Sequence, residues 1–340
     1  MTRMRVGVIG AGKIAAGSHL PCLAAFNDVE LILCEVNEPR LRAVADQFAI
    51  RETRTDYREM LARDGLDAVF VLTQPAATYG VAKDCLSAGV ATLMEKPPGM
   101  TTAETRDLLA TARTSGAKSM VAVNRRFGPM LTQARAMVER DGPIKVIVAE
   151  FYHFSIPLYR SMGSSEESLA SVITPGSIHT VDLVRYLGGD VSEVFAYADN
   201  YYDKQRDSFT ALIRFEGGAT ALLNYNLTSP VRIEKVSFHG PQASAFVVGL
   251  AQSCLVHQDD MTYDLTNVRR IDPSSPEWSD RPFNPYINGW WHQARFFLDC
   301  VKDNREPAFP ASNLEDAVKT MELIDMIRDQ WKGSVAAAQA

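Results

Sequence analysis

The first 123 residues alternate between short apolar runs and longer amphipathic stretches with helical spacing. The apolar runs lack the in-and-out alternation of a half-exposed sheet, which is typical of strands covered by helices on both faces. The pattern therefore predicts a doubly wound parallel sheet. The predicted strands are Val6–Ile9, Leu31–Val36, Ala68–Leu72, Thr92–Met94 and Met120–Val123, and the predicted helices are Ala15–Phe26, Pro39–Phe48, Tyr57–Ala62, Gly80–Ala88 and Thr102–Ser115.

The pattern changes after residue 123. A crossover helix is predicted over Asn124–Asp141, and strands dominate from Ile144 onward, with one helix at Ile178–Leu187. Two helices, about Gly289–Lys302 and Leu314–Trp331, close the chain. The predicted strands are Lys145–Phe154, Val191–Tyr201, Phe209–Phe215, Ala219–Thr228, Arg232–His239, Ala243–Val248, Cys254–His257 and Met261–Leu265.

Two domains are therefore expected. Residues 1–123 form an α/β Rossmann domain, and residues 124–340 form an α+β domain with an open, mainly antiparallel sheet. The last helices can pack back on the first domain. A sheet with helices on one face leaves its other face free to pair with a second subunit, so we expect a homodimer or homotetramer through that open sheet.

Composition narrows the function classes. The chain has 340 residues, 46% of them hydrophobic and 22% charged, with a net charge of −6 and no long basic run. Nucleic acid and membranes are therefore not expected partners. The five cysteines are scattered without a closely spaced pair, which fits neither a disulfide framework nor a zinc site, and no metal is predicted. The first predicted strand begins near Met4 and leaves no room for a signal peptide, so a cytoplasmic protein is expected.

The first candidate site is the turn after the first predicted strand. Gly10 allows a tight turn, Gly12 lets the backbone approach a pyrophosphate, and Ala15 is the small residue that permits close helix–strand packing. Lys13 and Ile14 open the helix, whose free N–H groups and positive dipole end suit an anion. The turn predicts dinucleotide binding.

A carboxylate follows the second predicted strand at Glu35, twenty residues after Ala15. Such a carboxylate accepts both ribose hydroxyls of NAD and repels the 2′-phosphate of NADP. NAD is therefore the predicted cofactor, with NADP the less favoured one. Asn37 and Arg40 lie close by in sequence and can soften this discrimination.

The segment Glu95-Lys96-Pro97-Pro98 comes directly after the fourth predicted strand. Because the carboxyl ends of strands in such a sheet face the cofactor crevice, Lys96 is expected at the nicotinamide end. An ammonium there can donate to a substrate hydroxyl oxygen and stabilise a developing alkoxide. Pro97 removes a backbone donor, and its peptide bond is a candidate for the cis form. By spacing alone, a rigid turn is an equal alternative.

These segments together resemble the GFO/IDH/MocA oxidoreductases, the relatives of glucose–fructose oxidoreductase and inositol 2-dehydrogenase. The resemblance covers nearly the whole chain and rests on Val8–Ala15, Leu72-Thr73-Gln74-Pro75, Ala88-Gly89 leading to Glu95-Lys96-Pro97, Asn124-Arg125-Arg126-Phe127, and Trp290–Phe297 with the helix after it. It implies bound NAD(P) and redox chemistry on a sugar or polyol. The implied cofactor-binding residues are Gly10, Gly12, Lys13, Ile14, Glu35, Asn37, Arg40, Thr73, Gln74, Pro75, Glu95, Lys96 and Asn124.

The resemblance also assigns a second catalytic residue. His179 matches a histidine that family members often use as the base for the hydroxyl proton, and Asp182 lies three residues later on the same helix, where it could orient the imidazole. The chain departs from the family where many members carry an aspartate, because Pro175 stands there. Thr78 and Tyr79 occupy a region where the family often has a histidine. The substrate candidates are Arg126, Tyr152, Thr174, Ser177 and Asp182; for Arg126, pairing with an acidic neighbour is an equal alternative.

The predicted function is NAD(P)-dependent hydride transfer to or from a secondary alcohol of a sugar, polyol or sugar derivative, with Lys96 and His179 as the catalytic pair. Two alternatives from other classes stay open. One is NAD-assisted, non-redox elimination or hydrolysis of a glycoside. The other is a catalytically silent, dinucleotide-binding regulatory protein, motivated by the missing aspartate at Pro175.

Overall fold

The structure is a computed structural model of the chain and describes residues 3–161, 173–200, 203, 207–249, 253–258, 268–271 and 286–337. The chain divides into two compact units. The first comprises Met1–Phe127 and Pro276–Val318, and the second comprises Gly128–Ser275 and Lys319–Ala340. Within the described residues, no helix is both long enough and apolar enough to cross a membrane.

The first unit is built on a six-stranded parallel sheet in the order β3-β2-β1-β4-β5-β6. The strand order reverses between β1 and β4, and ligands of open α/β sheets bind at this reversal, outside the carboxyl ends of the strands. The predicted doubly wound sheet is confirmed. The strands are β1 (Met4–Ile9), β2 (Val29–Cys34), β3 (Glu52–Arg54), β4 (Ala68–Val71), β5 (Ala91–Glu95) and β6 (Ser119–Ala122).

Helices cover both faces of this sheet, as the apolar strands require. Val8 and Phe70 belong to a core on one face, where Phe297 packs edge-on to Phe70 with ring centroids 5.7 Å apart. Ile9 and Val71 belong to the core on the other face. The helices of this unit are α1 (Leu20–Leu23), α2 (Glu38–Gln47), α3 (Tyr57–Arg63), α4 (Pro75–Ser87), α5 (Thr102–Ser115) and α9 (Trp290–Lys302); α10 (Leu314–Ala337) begins in it.

Three local features of the first unit differ from the sequence prediction. The helix predicted over Gly80–Ala88 begins earlier, at Pro75. The helix predicted over Ala15–Phe26 begins with a π-helical turn, Ala15–His19, before the short α1. Pro21 has no amide hydrogen, so it interrupts the ordinary helical hydrogen bonding, and the amide of Leu20 donates five residues back to Ala15. The edge strand β3 was not predicted because its residues, Glu-Thr-Arg, are polar.

The second unit contains an eight-stranded sheet in the order β14-β13-β12-β11-β7-β10-β9-β8. Only the β10–β7 pair is parallel among the described pairs, so the predicted open, mainly antiparallel sheet is confirmed. The strands are β7 (Val146–Phe154), β8 (Val191–Asp199), β9 (Ser208–Phe215), β10 (Thr220–Asn226), β11 (Thr228–His239), β12 (Ala243–Val248), β13 (Ser253–Gln258) and β14 (Val268–Ile271); the helices are α6 (Pro129–Glu139), α7 (Ser155–Ser161) and α8 (Ile173–Gly188). The predicted strand Met261–Leu265 lies outside the described residues.

The core of the second unit lies on one face of its sheet. Phe151 and Ile213 point to this face and pack with Leu131 of α6, Val184 of α8 and Ile324 of α10. Residues that alternate with them, such as Leu212 and Leu222, are exposed on the other face. The described cysteines Cys22, Cys34, Cys85 and Cys300 are free and buried, so they serve as small residues of the interior.

Candidate active site

The glycine turn after β1 places its two glycines in different surroundings. Gly10 has a φ of +101°, and a Cβ at this position would lie 2.6 Å from the carbonyl oxygen of Leu72. A Cβ on Gly12 would meet no atom within 4 Å, so the backbone there borders open space. Ala15 is fully buried. The turn therefore needs glycine at position 10 for its own conformation, whereas glycine at position 12 leaves room for a ligand to approach.

Glu35 follows β2 and contacts this turn. Its Oε2 accepts a hydrogen bond of 3.0 Å from the amide of Ala11, and its Oε1 accepts one of 3.0 Å from the amide of Asn37. The guanidinium of Arg40 lies 3.6 Å from Oε2 and is half exposed. Asn37 caps α2 by accepting from the amide of Arg40. The buried carboxylate is thus held against the glycine turn, with one cation at its solvent side.

The segment Thr73-Gln74-Pro75 joins β4 to α4. Pro75 is the first residue of the helix, where a missing amide hydrogen costs nothing, and Gln74 precedes it in extended conformation. The hydroxyl oxygens of Thr73 and Thr78 lie 3.1 Å apart, and the Thr78 hydroxyl also donates to the carbonyl of Gln74. Lys13 and Ile14 are exposed at the start of the helical segment after Gly12.

Lys96 lies at the carboxyl end of β5. The backbone amide of Lys96 donates to Oε2 of Glu95 at 3.1 Å, and the Lys96–Pro97 peptide bond is cis. Burial lowers the pKa of the Lys96 ammonium, the negative charge of Glu95 opposes that effect, and the positive charge of Arg125 adds to it. An amine with a lowered pKa releases its proton more readily than an exposed lysine does.

His19 is a residue of this region that the sequence analysis passed over. Its side chain is fully buried, and its Nε2 lies 2.9 Å from Oε1 of Glu95. A signal for its burial was present, because His19 stands four residues after Ala15 and four before Leu23, on the apolar face of the predicted helix. Its partner Glu95 is 76 residues away, and no local pattern indicates that contact.

Asn124 and Arg126, which follow β6 in the chain, both make contacts within the first unit. The Asn124 side-chain amide donates to the carbonyl of Asn288 at 2.7 Å. Arg126 is almost fully buried, with Nη2 2.7 Å from Oδ2 of Asp316. Of the two alternatives for Arg126, the acidic partner is therefore present, and the buried guanidinium is paired with the partly exposed carboxylate of Asp316.

In the second unit, His179, Ser177 and Asp182 all lie on α8. Ser177 and Asp182 are buried, and Oδ1 of Asp182 accepts from the hydroxyl of Thr320 at 3.2 Å. His179 is partly exposed. The backbone of Thr174 and of Pro175 belongs to α8, but their side chains lie outside the described part of the chain, so the candidate role of Thr174 is untested.

Tyr152 lies on β7, where its hydroxyl contacts Oε1 of Glu150 at 3.5 Å. Burial raises the pKa of Tyr152, and the negative charge of Glu150 adds to that effect. Glu150 is also paired with Lys235 at 2.7 Å. The neighbouring His153 stacks on Phe151 and has its Nε2 3.1 Å from Glu234.

A parallel sheet with a reversed strand order, a glycine turn beside open space and a carboxylate held on that turn are the features of a dinucleotide-binding domain. The description "Oxidoreductase family, NAD-binding Rossmann fold" matches residues 4–123, and "GFO/IDH/MocA C-terminal domain" matches residues 132–246. The chain belongs to the GFO/IDH/MocA oxidoreductase family. The predicted enzyme class, a dehydrogenase or reductase that uses NAD(P) and acts on CH–OH groups, is confirmed.

Similar proteins support the same class. D-apiose dehydrogenase from Paraburkholderia graminis is 25% identical over 333 residues, which is 95% of this chain and 86% of that protein. The crystal structure of a dehydrogenase from Chromobacterium violaceum superposes with a TM-score of 0.85 at 21% identity and covers 100% of this chain and 98% of its own. Levoglucosan dehydrogenase in complex with NADH and levoglucosan superposes with a TM-score of 0.81 at 18% identity, covering 97% of each chain. Similar structures include complexes with NAD and complexes with NADP.

Proposed function

We propose that this protein transfers a hydride between NAD and a secondary alcohol of a sugar, polyol or sugar derivative. The observation that carries the proposal is Lys96, a partly buried lysine of lowered pKa at the carboxyl end of β5, in a unit whose glycine turn borders open space at Gly12. The relatives named as sugar dehydrogenases support the substrate class.

The residues of the first unit fit a dinucleotide. The open space beside Gly12 is where a pyrophosphate would approach, and the helical segment that begins there would present free N–H groups to it. Glu35, held at the turn by Ala11, would accept hydrogen bonds from a ribose. When bound, NAD would supply the acceptor for the hydride of the carbinol carbon.

The buried charge of Glu35 supports NAD as the preferred cofactor. A 2′-phosphate next to this carboxylate would face a like charge with little water to screen it. Arg40, at 3.6 Å, offsets part of that repulsion, so the preference is expected to be finite rather than absolute.

We assign Lys96 the role of stabilising the substrate oxygen. The ammonium donates a hydrogen bond to the hydroxyl oxygen as negative charge develops on it, and partial burial strengthens that interaction relative to bulk water. His179 is assigned the role of base, because a partly exposed imidazole can accept the hydroxyl proton and pass it to solvent. The assignment of His179 rests on the family resemblance and on its place in α8.

A substrate panel tests this proposal. Purified protein is incubated with NAD or NADP and a range of sugars, polyols and sugar acids, and the absorbance of the reduced nicotinamide is followed. Lys96→Met is expected to lower kcat by about 10²- to 10⁴-fold, with the Kd for NADH changed by less than about twofold because the lysine acts on the substrate oxygen.

Three results would contradict the proposal. Absence of turnover with either cofactor would favour a silent dinucleotide-binding protein. Product without net reduced cofactor would favour NAD-assisted elimination or hydrolysis. A Lys96→Met variant with unchanged kcat would remove the assigned role of the lysine.

We also propose that the open face of the second sheet joins subunits into a homodimer or homotetramer. Phe195, Leu212 and Leu222 are directly paired across β8, β9 and β10, and all three side chains are exposed. A contiguous apolar row of this kind marks an interface more often than a free surface. Leu212→Glu is expected to give monomers in light scattering, whereas Phe309→Glu, an exposed position in the first unit, leaves the mass unchanged; an unchanged mass for both variants refutes the proposal.

A further inference from the structure

The side chain of His19 is packed in the interior of the first unit. Its side chain is fully buried, and its ring packs edge-on against Phe70 with centroids 6.2 Å apart. Nε2 lies 2.9 Å from Oε1 of Glu95. Nδ1 is buried and has no hydrogen-bond partner among the residues that the structure describes. Within the described part of the chain, the hydrogen bond to Glu95 is therefore the one polar contact of this side chain.

This arrangement dictates which nitrogen of His19 carries the proton. If the proton were on Nδ1, a donor would be buried without an acceptor, and the lone pair of Nε2 would face the lone pairs of Glu95. With the proton on Nε2, the imidazole donates to the carboxylate and only an acceptor is left without a partner. His19 is thus a hydrogen-bond donor to Glu95.

The two carboxylate oxygens of Glu95 contact His19 and the backbone amide of Lys96. Oε1 faces His19 Nε2, and Oε2 accepts from the backbone amide of Lys96 at 3.1 Å. The same carboxylate charge opposes the lowering of the Lys96 pKa that burial and Arg125 produce. The orientation of Glu95 therefore sets both the backbone position and the electrostatic surroundings of Lys96.

We propose that His19 is a positioning residue, which holds Lys96 in its working geometry through Glu95. This inference rests on the proposed function of Lys96. The helical segment that carries His19 starts at the glycine turn, where the amide of Ala16 donates to the carbonyl of Gly12. The His19–Glu95 hydrogen bond thus ties the predicted pyrophosphate-binding turn directly to the strand end that carries the lysine.

Two His19 variants test the proposal by turnover. His19→Leu removes the donor and is expected to lower kcat about 10- to 100-fold, the cost of a small misplacement of a catalytic group, with the Kd for NADH within about twofold of wild type. His19→Gln retains an N–H donor at a similar distance and is expected to restore most of the lost rate. Thr92→Val is the control for a loss of stability alone. It replaces a fully buried polar residue of β5, the strand that ends at Glu95.

A second measurement is independent of turnover. Competitive labelling of amines with acetic anhydride, followed across pH by peptide mass spectrometry, gives the titration midpoint of Lys96. The midpoint should move to higher pH in His19→Leu, because Glu95 loses the donor that shares its charge, and to lower pH in Glu95→Gln, because the charge itself is gone. Opposite shifts are not expected from a general loss of packing.

Two results would overturn the inference. In the first, His19→Leu keeps both the wild-type kcat and the wild-type labelling midpoint after correction with the Thr92→Val control. In the second, the kcat of His19→Gln is as low as that of His19→Leu. Should the wild-type protein show no turnover on any alcohol, the proposed function fails, and the labelling midpoints alone then decide the role of His19.

Discussion

Replacing the two glycines of the turn one at a time separates conformational strain from ligand binding. In Gly10→Ala, the new Cβ would lie 2.6 Å from the carbonyl oxygen of Leu72, at a residue whose φ is +101°. Both effects act on the protein without any ligand. In Gly12→Ala, the new Cβ meets no atom within 4 Å, so the ligand-free protein has no reason to lose stability.

The expected magnitudes follow from these surroundings. A non-glycine residue held in a disfavoured backbone region costs about 1–3 kcal/mol, and relieving the contact with Leu72 requires a backbone shift that adds about 1–3 kcal/mol. Gly10→Ala should therefore lower the free energy of unfolding by about 2–6 kcal/mol. Gly12→Ala should change it by less than about 1 kcal/mol, while the methyl group blocks the approach of a pyrophosphate.

Chemical denaturation of the ligand-free variants measures the first effect, and titration with NADH, followed by nicotinamide fluorescence, measures the second. We expect at least a tenfold rise in the NADH Kd for Gly12→Ala, with an unfolding midpoint close to that of wild type. Equal destabilisation by the two substitutions would refute the account of Gly10. Unimpaired NADH binding by Gly12→Ala would refute the assignment of the open space to the pyrophosphate.

Three further outcomes are expected. Glu35→Ser should raise kcat/KM for NADP relative to NAD by about tenfold or more, since a like charge is removed; an unchanged ratio in the same steady-state assay contradicts the ribose role. Arg126→Met should lower the free energy of unfolding by about 3 kcal/mol because it removes the almost fully buried guanidinium that pairs with Asp316, whereas a loss below about 0.5 kcal/mol in urea denaturation would mean the pair is not stabilising. Hydrogen bonding by Lys319 and Arg185 lowers the pKa of Asp190. The stabilisation from this carboxylate is therefore present above its unfolded-state pKa and is lost as the pH falls through the lower folded-state pKa. The difference in unfolding free energy between Asp190→Asn and wild type should shrink over that acid range, and a pH-independent difference would contradict this expectation.

Much of the fold was accessible from local pattern. The apolar runs of the first 123 residues predicted five of the six parallel strands, and the missed strand, Glu52–Arg54, is a polar edge strand without the apolar signature. The two sheet types of the two regions followed from hydrophobic periodicity in the same way. Period and residue type are properties of a few consecutive residues, so a sequence displays them directly.

The candidate site likewise has features that local sequence reveals and features that it does not. Gly10, Gly12, Glu35 and Lys96 were recognisable because each has a defined position relative to a strand end, and strand ends are local features. The contact between Glu35 and the turn was predictable in outline, since both lie at carboxyl ends of neighbouring strands. Its detail, an amide hydrogen bond from Ala11, came only with the structure.

Contacts between distant residues were decided by the tertiary structure. The helical spacing of His19 with Ala15 and Leu23 is a local signal of burial that the sequence analysis did not use, whereas its partnership with Glu95 depends on β1, β4 and β5 being neighbours in that order. Arg126 could serve a ligand or an acid equally well until the fold brought Asp316 to it from 190 residues away. The sequence by itself determined which residues form strands, turns and buried faces, because short-range sterics and hydrophobic periodicity act along the chain. Only the assembled sheets determined which charged side chain meets which, because that depends on strand order across the whole unit.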